Sequence, residues 1–176
     1  MSQFDVFNGD ADGICALHQL RLAEPLESEL GTGPKRDISL LKRVQAAAGD
    51  RVTVLDIALS KNREALDRLL EAGAQVRYFD HHQPGDIPVH PQFEAHIDTD
   101  ANVCTSLLVN RHLQGRHLPW AVAAAFGDNL ADAARLAAAP LGLSDSQLAQ
   151  LQSLGECLNY NGYGETLDDL FFDPAE

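Results

Sequence analysis

Short apolar runs and helix-length amphipathic stretches alternate through the first hundred residues. Phe4-Asp5-Val6-Phe7 reads as a strand that enters a polar, glycine-bearing turn, Asn8-Gly9-Asp10-Ala11-Asp12-Gly13. Ile14, Leu17 and Leu20 then share one face of a helix over 14–22. A Pro-, Gly- and Thr-bearing stretch follows, with a short strand around 27–30, and a helix is predicted over 37–48. Arg51-Val52-Thr53-Val54-Leu55-Asp56 is β-branched and compact, as a buried strand is. Ser60 reads as the N-cap of the next helix, whose Leu66, Leu69 and Leu70 share a face, and Gly73 as its C′ residue. Gln75-Val76-Arg77-Tyr78-Phe79 is a further strand, ending in Asp80-His81-His82, and 93–97 adds another.

Beyond that the pattern is helical, over 103–112, 120–126, 129–138 and 144–158, with Ser144 and Gln147 forming a capping-box pattern. The prediction is an α/β fold: a parallel β-sheet flanked by helices in a Rossmann-like three-layer domain, with a mostly helical second half. Residues 1–159 form that domain. The Gly-rich, then acidic stretch 160–176 reads as a linker towards a further domain.

Composition narrows the function classes. With 176 residues and 45% hydrophobic content the chain can build one real core. No apolar run approaches the roughly 20 residues of a membrane helix, and the N-terminus has no secretory pattern. Three widely spaced cysteines (Cys15, Cys104, Cys157) suit a reducing compartment and small buried side chains, so a cytoplasmic location is expected. A net charge of -13 opposes a long nucleic-acid track on this chain. Two divalent cations would reduce it to about -9, so a small phosphorylated or nucleotide substrate stays compatible. A homo-oligomer is left open.

Ligands of open parallel sheets collect at the carboxyl ends of the strands. Three strands here end in acid: Asp10 and Asp12 after the first, Asp56, and Asp80 followed by His81 and His82. Asp128 opens a helix in Phe126-Gly127-Asp128-Asn129. Converging carboxylates repel unless a cation lies between them, and mixed carboxylate and imidazole donors suit manganese, iron, cobalt or zinc better than magnesium.

Each piece also has a plainer reading. The Asn8–Gly13 segment fits the opening of an EF-hand loop, but Gln19 stands where that loop needs a bidentate Glu; a simple Asp/Gly turn is the stronger alternative. Asp56 alone fits a helix cap. Lys35 and Arg36 suit phosphate contacts or a solvated basic pair. His96 with Asp98 is a secondary candidate, the remaining histidines read as surface or structural, and Cys104-Thr105-Ser106 reads as core or helix start.

In order, these segments resemble the DHH phosphoesterase superfamily, which includes RecJ-type exonucleases, oligoribonucleases, cyclic-dinucleotide phosphodiesterases and family II pyrophosphatases. Asn8–Gly13 matches the first motif, Asp56 the second, Asp80-His81-His82 the third and Asp128 the fourth acid. The resemblance implies two divalent cations, manganese first and magnesium, cobalt or iron as alternatives. It implies Asp10, Asp12, Asp56, His81 and Asp128 as ligands, with Asp56 bridging. His82 would face the substrate phosphate, Asp80 would orient a histidine, and Arg36 would help neutralise phosphoryl charge.

The chain departs from the family where Val6 stands in place of a histidine ligand and Asn8 in place of an acid. Asn8 can ligate only through its neutral carbonyl oxygen. The expected activity is a metal-dependent phosphodiesterase on a short oligonucleotide or cyclic dinucleotide. The alternatives are a phosphomonoesterase or pyrophosphatase on a small compound, and a non-catalytic nucleotide- or metal-binding module.

Overall fold

A computed structural model describes all of residues 1–176. Five strands form one parallel sheet: β1 (Gln3–Phe7), β2 (Glu29–Gly31), β3 (Arg51–Leu55), β4 (Gln75–Asp80) and β5 (Phe93–Ile97), in the order β2-β1-β3-β4-β5. Strand side chains alternate between the faces. Phe4, Val6, Val52, Val54, Val76 and Tyr78 meet helix α2 (Leu59–Glu71) and a 3₁₀ turn at Leu40–Arg43. Phe7, Leu55 and Phe79 meet α1 (Ala11–Ala23) and α3 (Thr105–His112) on the other face. Burial on both faces explains why these strands read as apolar runs.

α1 connects β1 to β2 and α2 connects β3 to β4, on opposite faces, so the direction of winding reverses between β1 and β3. That reversal opens a crevice at the carboxyl ends of the two strands. Of the remaining helices, α4 (Leu118–Gly127) packs on α1 and α3, and α5 (Ala131–Ala138) and α6 (Asp145–Asn161) pack on α4, around Cys15, Cys104 and Phe126. Ser144 caps α6 in the expected capping box, and Gly73 takes the left-handed φ of +85° that follows α2. No helix is long and apolar enough to cross a membrane.

Three local expectations need correction. Residues 37–48 form no α-helix, only the 3₁₀ turn. The Arg68 guanidinium donates to the carbonyls of Lys42 and Val44, which a helix would have used for Ala46 and Ala48. The Asp37 carboxylate also accepts the Ser39 amide, a local bond that competes with helix. Ser60 lies inside α2, whose N-cap position is Ala58. Cys157 is exposed, unlike Cys15 and Cys104. Residues 162–174 fold back on the domain. Asn161 exchanges two hydrogen bonds with the Phe172 backbone, and a capped 3₁₀ turn forms at Leu167–Asp169.

Candidate metal centre

The crevice between β1 and β3 gathers the acids from every segment singled out in the sequence except the 96–98 pair. Asp10 is the N-cap of α1: its Oδ1 accepts the amides of Asp12 and Gly13, each at 3.1 Å. Gly13 is required there, because a Cβ would meet the Asn8 carbonyl oxygen at 2.1 Å. Asp12 is gripped from across the domain. Its Oδ2 and Oδ1 accept the backbone amides of Thr105 and Ser106 at 2.7 Å, and the Ser106 hydroxyl donates to the Asp12 carbonyl oxygen. These amides open α3, where unpaired N–H groups and the helix dipole favour an anion.

Asp56 follows β3 with φ +57°, a left-handed conformation that Asp tolerates better than most residues. Its Oδ1 accepts the Thr105 hydroxyl at 3.2 Å. Asp128 sits at the C-cap of α4, the negative end of that helix's dipole and an unfavourable place for a bare carboxylate. Close packing brings it in: a Cβ on Gly127 would meet the Ala11 Cβ at 2.4 Å and the Gly155 carbonyl oxygen at 2.5 Å.

His81 is the centre of this group. Its Nε2 lies 3.4 Å from Asp56 Oδ1, 3.6 Å from Asp128 Oδ2 and 3.9 Å from Asp12 Oδ2. The donor atoms of Asp12, His81 and Asp128 lie within 4.8 Å of one another, as do those of Asp56, His81 and His82, so two sets of three that share His81 could hold a divalent cation. The donor chemistry fits as well, imidazole with carboxylate in both sets. His82 is set outward with its side chain 44% exposed, and its Nδ1 is 2.6 Å from Asp80 Oδ1. Asp80 is fully buried, and its other oxygen has no partner. Of the two histidines named as partners for Asp80, the hydrogen bond is to His82.

The electrostatics agree with a pocket in which acids outnumber the one interior cation, Lys35. Burial first, and then Asp12, Asp10, Asp80 and Asp128, push the Asp56 carboxyl well above its ordinary range. Burial and Asp12 raise Asp128 to about 6, with His81 and Lys35 pulling the other way. The hydrogen bond to Asp80 raises His82, against burial.

Three residues singled out in the sequence, Arg36, His96 and Asp98, stand elsewhere. Arg36 does not join the cluster: its side chain is 66% exposed and pairs with Glu165. Its neighbour Lys35 takes the interior position, with Nζ 2.6 Å from Asp10 Oδ2, 2.9 Å from Asn159 Oδ1 and 3.7 Å from Asp128 Oδ1. Asn8 borders the site with its carbonyl oxygen buried and unpartnered. His96 stacks on Phe79 and pairs with Glu94, while Asp98 pairs with Arg111, so neither reaches the crevice. Thr105 and Ser106 are the residues that the sequence reading missed. The only signal was a hydroxyl pair at a helix start.

No protein-family profile matches the sequence, and no curated protein does. Solved structures do. The DHH domain of a member of a family of ribosomal proteins aligns over 90% of this chain with a TM-score of 0.62 and 15% identity. The fold is that of a DHH domain. The RecJ exonuclease bound to manganese aligns over 91% of the chain at a TM-score of 0.54 and 17% identity. The chain spans about half the length of each, 47% and 53% respectively. At 15% and 17% identity the likeness is one of fold. The residues that line the β1/β3 crevice here are this chain's own.

Proposed function

We propose that the protein is a metal-dependent phosphoesterase that hydrolyses a phosphodiester in a small nucleotide, a short oligonucleotide or cyclic dinucleotide. The observation that carries this reading is the convergence on His81 Nε2 of three carboxylates from separate segments, Asp12, Asp56 and Asp128, at the mouth of the crevice. Manganese is the expected metal. A divalent cation bound there supplies an activated water near neutral pH and neutralises charge on the phosphoryl group.

This chain's residues do the rest. The α3 amides fix Asp12, and the Thr105 hydroxyl fixes one oxygen of Asp56, so the ligands are ordered before metal arrives. His82, whose pKa the hydrogen bond to Asp80 raises, faces the open side, where its protonated form can donate to a phosphoryl oxygen or to the departing alkoxide. The Lys35 ammonium provides fixed positive charge beside Asp10. A net charge of -13 favours a short substrate over a long polyanion.

The test is hydrolysis of bis-(p-nitrophenyl) phosphate and of a panel of dinucleotides by purified protein with manganese. Turnover that chelator abolishes and manganese restores is the expected result. Hydrolysis of monoesters or pyrophosphate alone would reassign the substrate, and manganese binding without turnover on any phosphorylated compound would contradict the enzyme.

A further inference from the structure

The two sides of the cluster differ in charge. Around His81, Asp12, Asp56 and Asp128 bring three formal negative charges, and neither Asp12 nor Asp56 pairs with a lysine or arginine. On the far side, Asp10 is already neutralised. Both of its oxygens are engaged, Oδ1 by the α1 amides and Oδ2 by the Lys35 ammonium. The remaining donor on that side, Asn8, carries no charge. A divalent cation placed there would meet an ammonium where it needs a carboxylate, and like charges at such separations repel strongly.

Lys35 is built into this position. The Gly9 amide donates to the Gly33 carbonyl oxygen at 3.1 Å, and the Lys35 amide donates to the Gly162 carbonyl oxygen at 2.8 Å. The backbone on both sides of Pro34 is therefore tied to the site loop and to the end of α6. Asn159, on the last turn of α6, orients the ammonium from behind at 2.9 Å.

We propose that Lys35 replaces one of the two cations implied by the resemblance, so that the chain holds a single divalent ion at His81, the residue both donor sets share, while the ammonium serves as the second positive charge at Asp10. This rests on the metal-centre reading above and deepens it. Asn8 and Lys35 belong together on this account: the neutral amide removes a ligand, and the ammonium fills the space of the ion that the ligand would have held. The Lys35 side chain, 30% exposed, still reaches the open crevice, where a phosphate oxygen can accept from it.

The experiment counts manganese in the intact protein, by equilibrium dialysis with elemental analysis and by electron paramagnetic resonance. The wild-type protein should retain one manganese per chain with the spectrum of an isolated ion. Lys35→Met combined with Asn8→Asp should retain two, with the exchange-coupled spectrum of a close pair, and Lys35→Arg should retain one. Two coupled ions in the wild-type protein would overturn the proposal, whatever the variants do, and so would one ion in a folded double variant. No manganese in the wild-type protein would instead remove the metal-centre reading on which the proposal stands.

Discussion

Asp5, on β1, and Asp56, just past the end of the neighbouring parallel strand β3, are both buried carboxylates, 1% and 3% exposed, and their surroundings are opposite. Asp5 is fully partnered by the protein: the Arg21 guanidinium meets both of its oxygens at 2.6 and 2.7 Å, and the Ser28 hydroxyl adds a third bond at 2.6 Å. Asp56 has one hydroxyl partner and is surrounded by Asp10, Asp12, Asp80 and Asp128. A fork-shaped ion pair that engages both oxygens makes a structural acid. An acid left among acids stays ionised only at a cost that a cation from outside can offset, and that contrast separates the scaffold of this domain from its working end.

The comparison can be broken at either residue. The largest effect is expected from Asp56→Ala: manganese retention should be lost and phosphodiesterase activity should fall by about a thousandfold or more, roughly 4 kcal/mol of transition-state stabilisation. Metal content and rate measured on the same preparation check this, and unchanged metal occupancy would contradict a ligand role. Asp5→Ala should act on the fold alone. Stranding the largely buried Arg21 should cost about 3 kcal/mol, lowering Tm by roughly 10 °C in this size of domain, while manganese per folded chain stays the same.

Smaller effects sharpen the contrast. Asp80→Asn should reduce activity by about 10- to 100-fold at unchanged manganese content. Because Asp80 is what raises His82, the alkaline limb of the pH–rate profile should also move to lower pH. A purely structural role for Asp80 would leave that limb in place.

The smallest effect is on the stability of the metal-free protein. Asp56 and Asp128 have pKa values above those of the unfolded chain, so their contribution is fully present below pH 3.8 and is lost as pH rises, through about 6 for Asp128. Asp56→Asn keeps the Thr105 contact and the left-handed backbone, so it should raise the metal-free Tm by a few degrees at pH 8. That gain should shrink towards pH 4. Added manganese should reverse the order, because ligand binding stabilises only the protein that can hold it.

What the sequence revealed follows the same division. The strands were legible because a sheet buried on both faces needs continuous apolar residues, and the acids stood out because each sits where such a run stops. Side-chain identity also pointed to His81, His82 and Asp128. The supports were hidden. Thr105 and Ser106 hold Asp12 with backbone amides, which any residue but proline carries. Lys35 and Arg36 are adjacent and chemically alike. Only the tie of the Lys35 amide to Gly162 turns the first inward and leaves the second to Glu165. The missing helix over 37–48 was a tertiary decision as well, made by Arg68 from a different element.

Anomalous scattering from a manganese-soaked crystal tests the central claim most directly. The account predicts a manganese peak within about 2.2 Å of His81 Nε2, shared with carboxylate oxygens of Asp12, Asp56 and Asp128. A saturated crystal with no peak at His81, or with manganese bound only at surface acids away from the β1/β3 crevice, would contradict it.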